Sequence, residues 1–136
     1  MLKGKLIHPE IMAALALCGH HDKVLIADGN YPLDAKSNPN AKRVYLGLTP
    51  GLPTVTDVLA AVQSAVEIER AEVMNPGGGT TPEIFGEFTE MLGGMELGKI
   101  GRWDFYDECC KQTVRLAIST GEKRTFANIL LTIGVA

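Results

Sequence analysis

Two adjacent imidazoles, His20 and His21, precede a short apolar run (Val24-Leu25-Ile26), and a carboxylate, Asp28, follows it. An imidazole exchanges its proton near neutral pH, with an unperturbed pKa of about 6.5, so a histidine bordering a buried segment suits acid–base work. Neighbouring residues of an extended segment point opposite ways, so spacing lets one of the two face a pocket while the other faces solvent. A pair of surface histidines carries the same signature. Asp28 could orient a histidine, bind hydroxyl groups or act as a base; it could equally serve an Asx turn and bond its own backbone. Asn128, ahead of the last apolar run, offers both a donor and an acceptor, as a sugar hydroxyl requires, or it is a turn amide. Arg102-Trp103-Asp104-Phe105-Tyr106 gathers a cation, aromatic faces and a carboxylate. That mixture fits the half-polar surface of a sugar ring and equally fits a subunit contact, where Trp, Tyr and Arg are enriched.

Other candidate chemistry is weaker. His8, His20 and Asp28 have zinc-ligand side chains, but no HxH or HExxH spacing joins them, so no metal is expected. Gly77-Gly78-Gly79-Thr80-Thr81 stands ahead of a helix start but lacks the lysine and spacing of a phosphate loop, and reads as a flexible connection. Cys18, Cys109 and Cys110 are an odd set with neither disulfide nor zinc spacing, which points to a reducing cytoplasm.

The elements that must hold these groups follow from apolar patterning. Pro9 and Glu10 start a helix whose residues 11–18 are apolar on every side, the pattern of a helix buried all round, and Gly19 suits a left-handed stop. Residues 23–27 form a continuous apolar run without alternation, hence a strand covered on both faces in a parallel or mixed sheet. A Pro- and Asn-rich loop spans 31–41, and a short strand 43–46. Thr54 or Thr56 caps a helix running to about Val66, followed by a strand over 68–74 near an edge. Thr81-Pro82-Glu83 opens a helix that Gly93-Gly94 ends. A weak strand covers 97–102. Asp104 caps a further helix through Ser119, with Phe105, Cys109, Leu116 and Ala117 inward, and a last apolar strand covers 128–135. Strands alternating with helices make an α/β fold: a single three-layer domain over 1–136, with a mostly parallel or mixed sheet flanked by helices on both faces.

Composition narrows the partners. A chain of 136 residues can bury a core without staples. Its formal charge of −3 is small and its charges are interspersed, which argues against nucleic acid and against a polybasic membrane contact. No apolar run reaches transmembrane length. Lys3 and Lys5 ahead of an apolar stretch faintly resemble a secretion signal, but His8-Pro9-Glu10 breaks the join.

Taken in order, Gly19-His20-x-Asp22, Asp28 and Pro32, then Thr120-Gly121-Glu122, Asn128-Ile129-Leu130-Leu131 and Gly134-Val135, resemble the D-ribose pyranase and L-fucose mutarotase family of sugar-anomer enzymes. The resemblance implies a layered α/β subunit in a ring-shaped homo-oligomer, often a decamer, with sites near subunit contacts. It implies that His20 transfers the proton and that Asp28 and Asn128 contact the sugar; in the expected reaction Arg102, Tyr106 and Asn128 bind and position it. Members usually carry Tyr where this chain has Phe126, which can only stack or pack; Tyr106, Tyr31 or His21 would then supply the missing polar group. The run from Arg102 to Tyr106 looks more like the fucose branch. The expected activity is therefore cofactor-independent mutarotation of a free monosaccharide, L-fucose first. The alternatives are D-ribose pyranase activity and a non-catalytic sugar-binding partner of an uptake system.

Overall fold

A computed structural model describes residues 1–136. Ten elements follow in chain order: α1 (Pro9–Leu17), β1 (Lys23–Ala27), β2 (Lys42–Tyr45), α2 (Val55–Gln63), β3 (Ile68–Asn75), α3 (Glu83–Met91), β4 (Gly98–Gly101), α4 (Arg102–Cys109), β5 (Val114–Ser119) and β6 (Ile129–Ile133). The strands form one mixed sheet in the order β2-β5-β1-β6-β3-β4. The strands richest in continuous apolar residues, β1 and β6, lie side by side at its centre. Successive residues face opposite layers. Val24 and Ile26 of β1 pack with α1, α2 and α3 through Ile11, Val58, Leu59 and Phe88. Leu25 and Ala27 pack on the other side with Phe105 and Cys109 of α4 and with Tyr31 and Leu33 of the long loop.

Direction matters more than order for the site. β1 runs parallel to β5, β5 parallel to β2, and β3 parallel to β4, while β6 is antiparallel to both β1 and β3. Five strands therefore end on one edge of the sheet, and β6 begins there. Asp28 after β1, Met74 near the end of β3, Arg102 after β4, Thr120 after β5 and Asn128 before β6 all come to that edge. His20 before β1 and Glu69 at the start of β3 come to the opposite one.

Several expectations need correction. The stretch expected as one helix over 104–119 is α4 followed by β5, and Leu116 and Ala117 are buried strand residues between β1 and β2. An apolar hexamer containing Val114, Leu116 and Ile118 serves a doubly covered strand as well as a buried helix, and its neighbours decide. Only Ile11, Ala14 and Leu15 of α1 are buried; Met12 and Leu17 face outward, so one apolar side of this helix has no partner within the chain. His8 caps α1, its Nδ1 accepting from the Ile11 N–H at 3.3 Å. The left-handed residue after α1 is His21 (φ 76°), not Gly19. Thr54 caps α2 with Asp57 in a reciprocal pair, but the helix stops at Gln63. Thr81 makes no side-chain cap on α3.

Gly121 is where the chain leaving β5 passes the 49–53 turn. A Cβ there would lie 2.6 Å from the carbonyl oxygens of both Leu52 and Thr49, which are backbone and cannot swing away. Gly121→Ala should therefore cost about 3 kcal/mol. Chemical denaturation measures this, and a variant as stable as the parent would show that the turn gives way.

Candidate functional site

Segment 120–128 carries Phe126 and Asn128 and is tied down at several points. The Thr120 hydroxyl donates to the Ala27 carbonyl at 2.8 Å and accepts from the Glu122 N–H at 3.1 Å. Gly29 N–H donates to the Glu122 carbonyl at 2.9 Å, joining this segment to the end of β1. The buried Glu122 carboxylate accepts from Arg124 at 3.1 Å, and Arg124 also reaches Glu87 on α3. Burial alone would raise the Glu122 pKa, but hydrogen bonds and charge from Arg124 outweigh it and hold it below the usual carboxylate value. A depressed pKa contributes stability above the unfolded value of about 4.3, and that stability is lost as pH falls through the folded value. Glu122→Gln should cost about 1–2 kcal/mol at pH 7, with the gap to the parent closing below pH ~4. Thermal melts at the two pH values read it, and a pH-independent gap would remove the assignment.

Beyond that anchor, Asp28 and Asn128 interlock. Asp28 N–H donates to Asn128 Oδ1 at 2.8 Å. A backbone donor fixes the amide with its oxygen inward, so the Asn128 NH₂ is the donating end, with the Asp28 carboxylate among its acceptors. Asp28 is itself buried; its Oδ1 accepts from Asn30 N–H at 2.9 Å and its Oδ2 from Ala127 N–H at 3.3 Å. Burial raises the Asp28 pKa, opposed by the bonds from Asn30 and Ala127.

These two side chains, Arg102, Tyr106 and Phe126 line one cavity of about 180 Å³, together with Asn30, Tyr31, Met74 and Thr125. Pockets for drug-sized ligands run to roughly 300–1,000 Å³, so this one suits a small molecule. Its lining combines a carboxylate, an amide, a guanidinium and aromatic faces. Phe126 has φ 56°, a left-handed backbone that costs a bulky residue roughly 1–2 kcal/mol. That conformation sits between Thr125 and Asn128, and the Arg102 guanidinium lies 5.8 Å from the Phe126 ring centre. Tyr31 donates its hydroxyl proton to the Lys36 carbonyl at 2.7 Å, so toward a ligand it can only accept. Tyr106, edge-on to Tyr31 and Trp103, keeps its own free of any recorded partner.

Larger hollows carry less chemistry. One of about 390 Å³ adjoins the first and is walled by Gly29, residues 47–50 and residues 120–123. Its one acid, Glu122, is already bonded to Arg124. Another of about 830 Å³ lies between α3 and β4.

The expected residues thus divide in two. Asp28, Arg102, Tyr106, Phe126 and Asn128 meet around one cavity. His20 does not join them within the chain, because β1, five residues and about 17 Å long, stands between. His20 instead contacts Glu69, its Nε2 lying 3.1 Å from both carboxylate oxygens. His21 does not point away from His20: the segment is a turn rather than extended, and the two ring centres are 3.8 Å apart. His8, His20 and Asp28 do not converge, since His8 is occupied at the head of α1. Glu69 and Tyr31 had roles that spacing did not reveal: one is brought in by strand pairing, the other by a loop fold. A Glu at a strand start is the only signal the first carried.

Three comparisons bear on this arrangement. The model of the RbsD / FucU transport protein family matches residues 1–136. A relative from Paracidovorax citrulli named D-ribose pyranase is 33% identical over 142 residues, covering 99% of this chain and 98% of the relative. Among solved structures, the fucose mutarotase of Streptococcus pneumoniae in complex with L-fucose superposes with a TM-score of 0.80 at 26% identity, covering 96% of this chain and 94% of that one. The Bacillus subtilis RbsD complexed with D-ribose shares the fold, with a TM-score of 0.85 at 24% identity over 100% of this chain and 99% of that chain.

Proposed function

This chain belongs to the RbsD / FucU family over its whole length, and on that premise we propose that it interconverts the ring forms of a free aldose. The single observation that carries the reading is the meeting of Asp28, Arg102, Tyr106, Phe126 and Asn128 around one small cavity. Mutarotation opens a cyclic hemiacetal to an aldehyde and closes it on either face or at another hydroxyl. One group delivers a proton to the ring oxygen while another removes the proton from the anomeric hydroxyl. Protons leave and return and no electrons are transferred, so the reaction needs no cofactor.

Asp28 accepts from a sugar hydroxyl, and Asn128 donates through its NH₂. Arg102 and Tyr106 hold the sugar at the open side, and the Phe126 ring packs against its apolar face. His20 is the proton-transferring group. Standing at the far edge of the sheet, it serves the cavity of another copy, in a ring-shaped homo-oligomer such as a decamer. The exposed apolar side of α1, with Met12 and Leu17, is consistent with such packing. The protein acts as one mutarotase-like domain spanning 1–136. Three free cysteines fit a reducing cytoplasm, and no helix is long and apolar enough to cross a membrane.

D-Ribose is the first substrate to try, because the relative at 33% identity is named D-ribose pyranase. L-Fucose is the second reading, favoured by the Arg102 to Tyr106 run and by the similarity to a fucose mutarotase. Saturation-transfer NMR on D-ribose, L-fucose and D-galactose tests both at once. Exchange above the buffer rate for one sugar identifies the substrate. Binding without faster exchange for any of them would make the protein a sugar carrier, as in an uptake system, and not an isomerase.

A further inference from the structure

The geometry points to a transition-metal site at the other edge of the sheet, formed by His20, His21 and Glu69, whose occupation withdraws His20 from proton transfer. The second half rests on the reading of His20 above; the first does not.

The three side chains arrive from two separate stretches and converge. Glu69 Oε1 lies 3.1 Å from His20 Nε2 and 3.1 Å from His21 Nε2, and the ligand atoms of the three residues all lie within 4.8 Å of one another. Donors around a tetrahedral zinc, each roughly 2.0–2.1 Å from the metal, sit about 3.3 Å apart. The two spacings to Glu69 are close to that, and the two imidazole nitrogens lie within 4.8 Å of each other.

Two backbone features produce the convergence. Asp22 N–H donates to the Gly19 carbonyl at 3.1 Å, closing a four-residue turn in which His21 takes φ 76°. A left-handed residue brings the two imidazoles to one side, whereas an extended pair would splay them. The turn is fastened to β6: His21 N–H donates to the Ile133 carbonyl, and Ile133 N–H to the Asp22 carbonyl, both at 2.9 Å. On β3, the pairing with β6 shifts register between Ile68 and Arg70, which makes Glu69 the extra residue of an irregularity. Such bulges re-aim a side chain. Here the re-aimed carboxylate meets both rings.

The donor set selects the ion. Two imidazole nitrogens and one carboxylate suit Zn²⁺ and its neighbours in the transition series, while Mg²⁺ and Ca²⁺ prefer oxygen alone. All three side chains are at least a third exposed, so a metal enters from solvent and one coordination position stays open. Binding takes the Nε2 lone pair of each neutral imidazole, whose one ring proton then sits on Nδ1, and the Glu69 carboxylate gives the metal a negative ligand. His20 then has no Nε2 lone pair with which to move a proton.

The test uses the full chain in its native assembly, stripped with EDTA and titrated calorimetrically with ZnCl₂. One Zn²⁺ per chain is expected. His21→Ala and Glu69→Gln should each weaken it by at least about 10-fold. Because the His21 ring lies 3.8 Å from that of His20, each variant serves as its own reference, with its exchange measured in EDTA and again after Zn²⁺ is added. Zn²⁺ should silence exchange by the parent and spare His21→Ala. Absence of binding, or equal binding by parent and His21→Ala, would overturn the site. Zinc held by these residues with exchange unimpaired would overturn the inhibitory role. Absence of exchange even in EDTA would strike at the sugar reading alone and leave the calorimetry to judge the metal.

Discussion

Replacing His20 by alanine should slow anomer exchange by about 10²–10⁴-fold, the usual contribution of a positioned acid–base group. The fold should not suffer, since the side chain is nearly half exposed. A sharper result is expected from pairs of variants. His20 and Asp28 flank the same strand, so a site that uses both takes its cavity from one copy and its imidazole from another. His20→Ala and Asp28→Asn, each inactive alone, should recover about one quarter of parental exchange when co-expressed in equal amounts. One site in four then has both native residues. No recovery from mixed assemblies, with each variant folded, would mean that one copy supplies both groups or that His20 has no part.

Asp28→Asn should reduce exchange by about 10²-fold or more, because the amide can neither take up a proton nor offer the second acceptor. Its effect on stability follows from the same geometry. Asn keeps one acceptor but turns an NH₂ toward a backbone N–H that now lacks a partner. That mismatch costs about 1–3 kcal/mol. Against it, burial raises the Asp28 pKa. A raised carboxyl pKa contributes stability below the unfolded value and loses it as pH rises through the folded value, so at neutral pH the ionised group burdens the fold. The variant is relieved of that burden. The stability gap should therefore widen in favour of the parent on acidification, as Asp28 protonates, and narrow toward pH 7. A gap that narrows on acidification would show that the carboxylate is stabilised rather than strained by its surroundings.

Much of the frame was legible in local pattern. The apolar run of β1 and the apolar run of β6 announced doubly covered strands, and both are central. The capping pair at Thr54 and Asp57 marked the start of α2. The five cavity residues were legible through family resemblance and not through spacing: Asp28 and Asn128 are 100 positions apart and meet because β6 alone runs against its neighbours. What pattern could not supply was anything decided by pairing. β5 hid inside a helix-like stretch because Leu116 and Ala117 satisfy either periodicity. A turn bearing the two histidines was legible after the helix stop, but not that His21 would be its left-handed residue, because a left-handed histidine has no marker of its own. Glu69 looked like one more charge on a strand until the register shift turned it toward the histidines.

A strand five residues long separates the imidazole from the cavity. If each working centre straddles two copies, turnover becomes a property of concentration. On progressive dilution, specific activity should fall together with the sedimentation coefficient. The far-ultraviolet dichroism of the separated subunits should persist to lower concentrations, because the hydrogen bonds of the sheet lie within one chain.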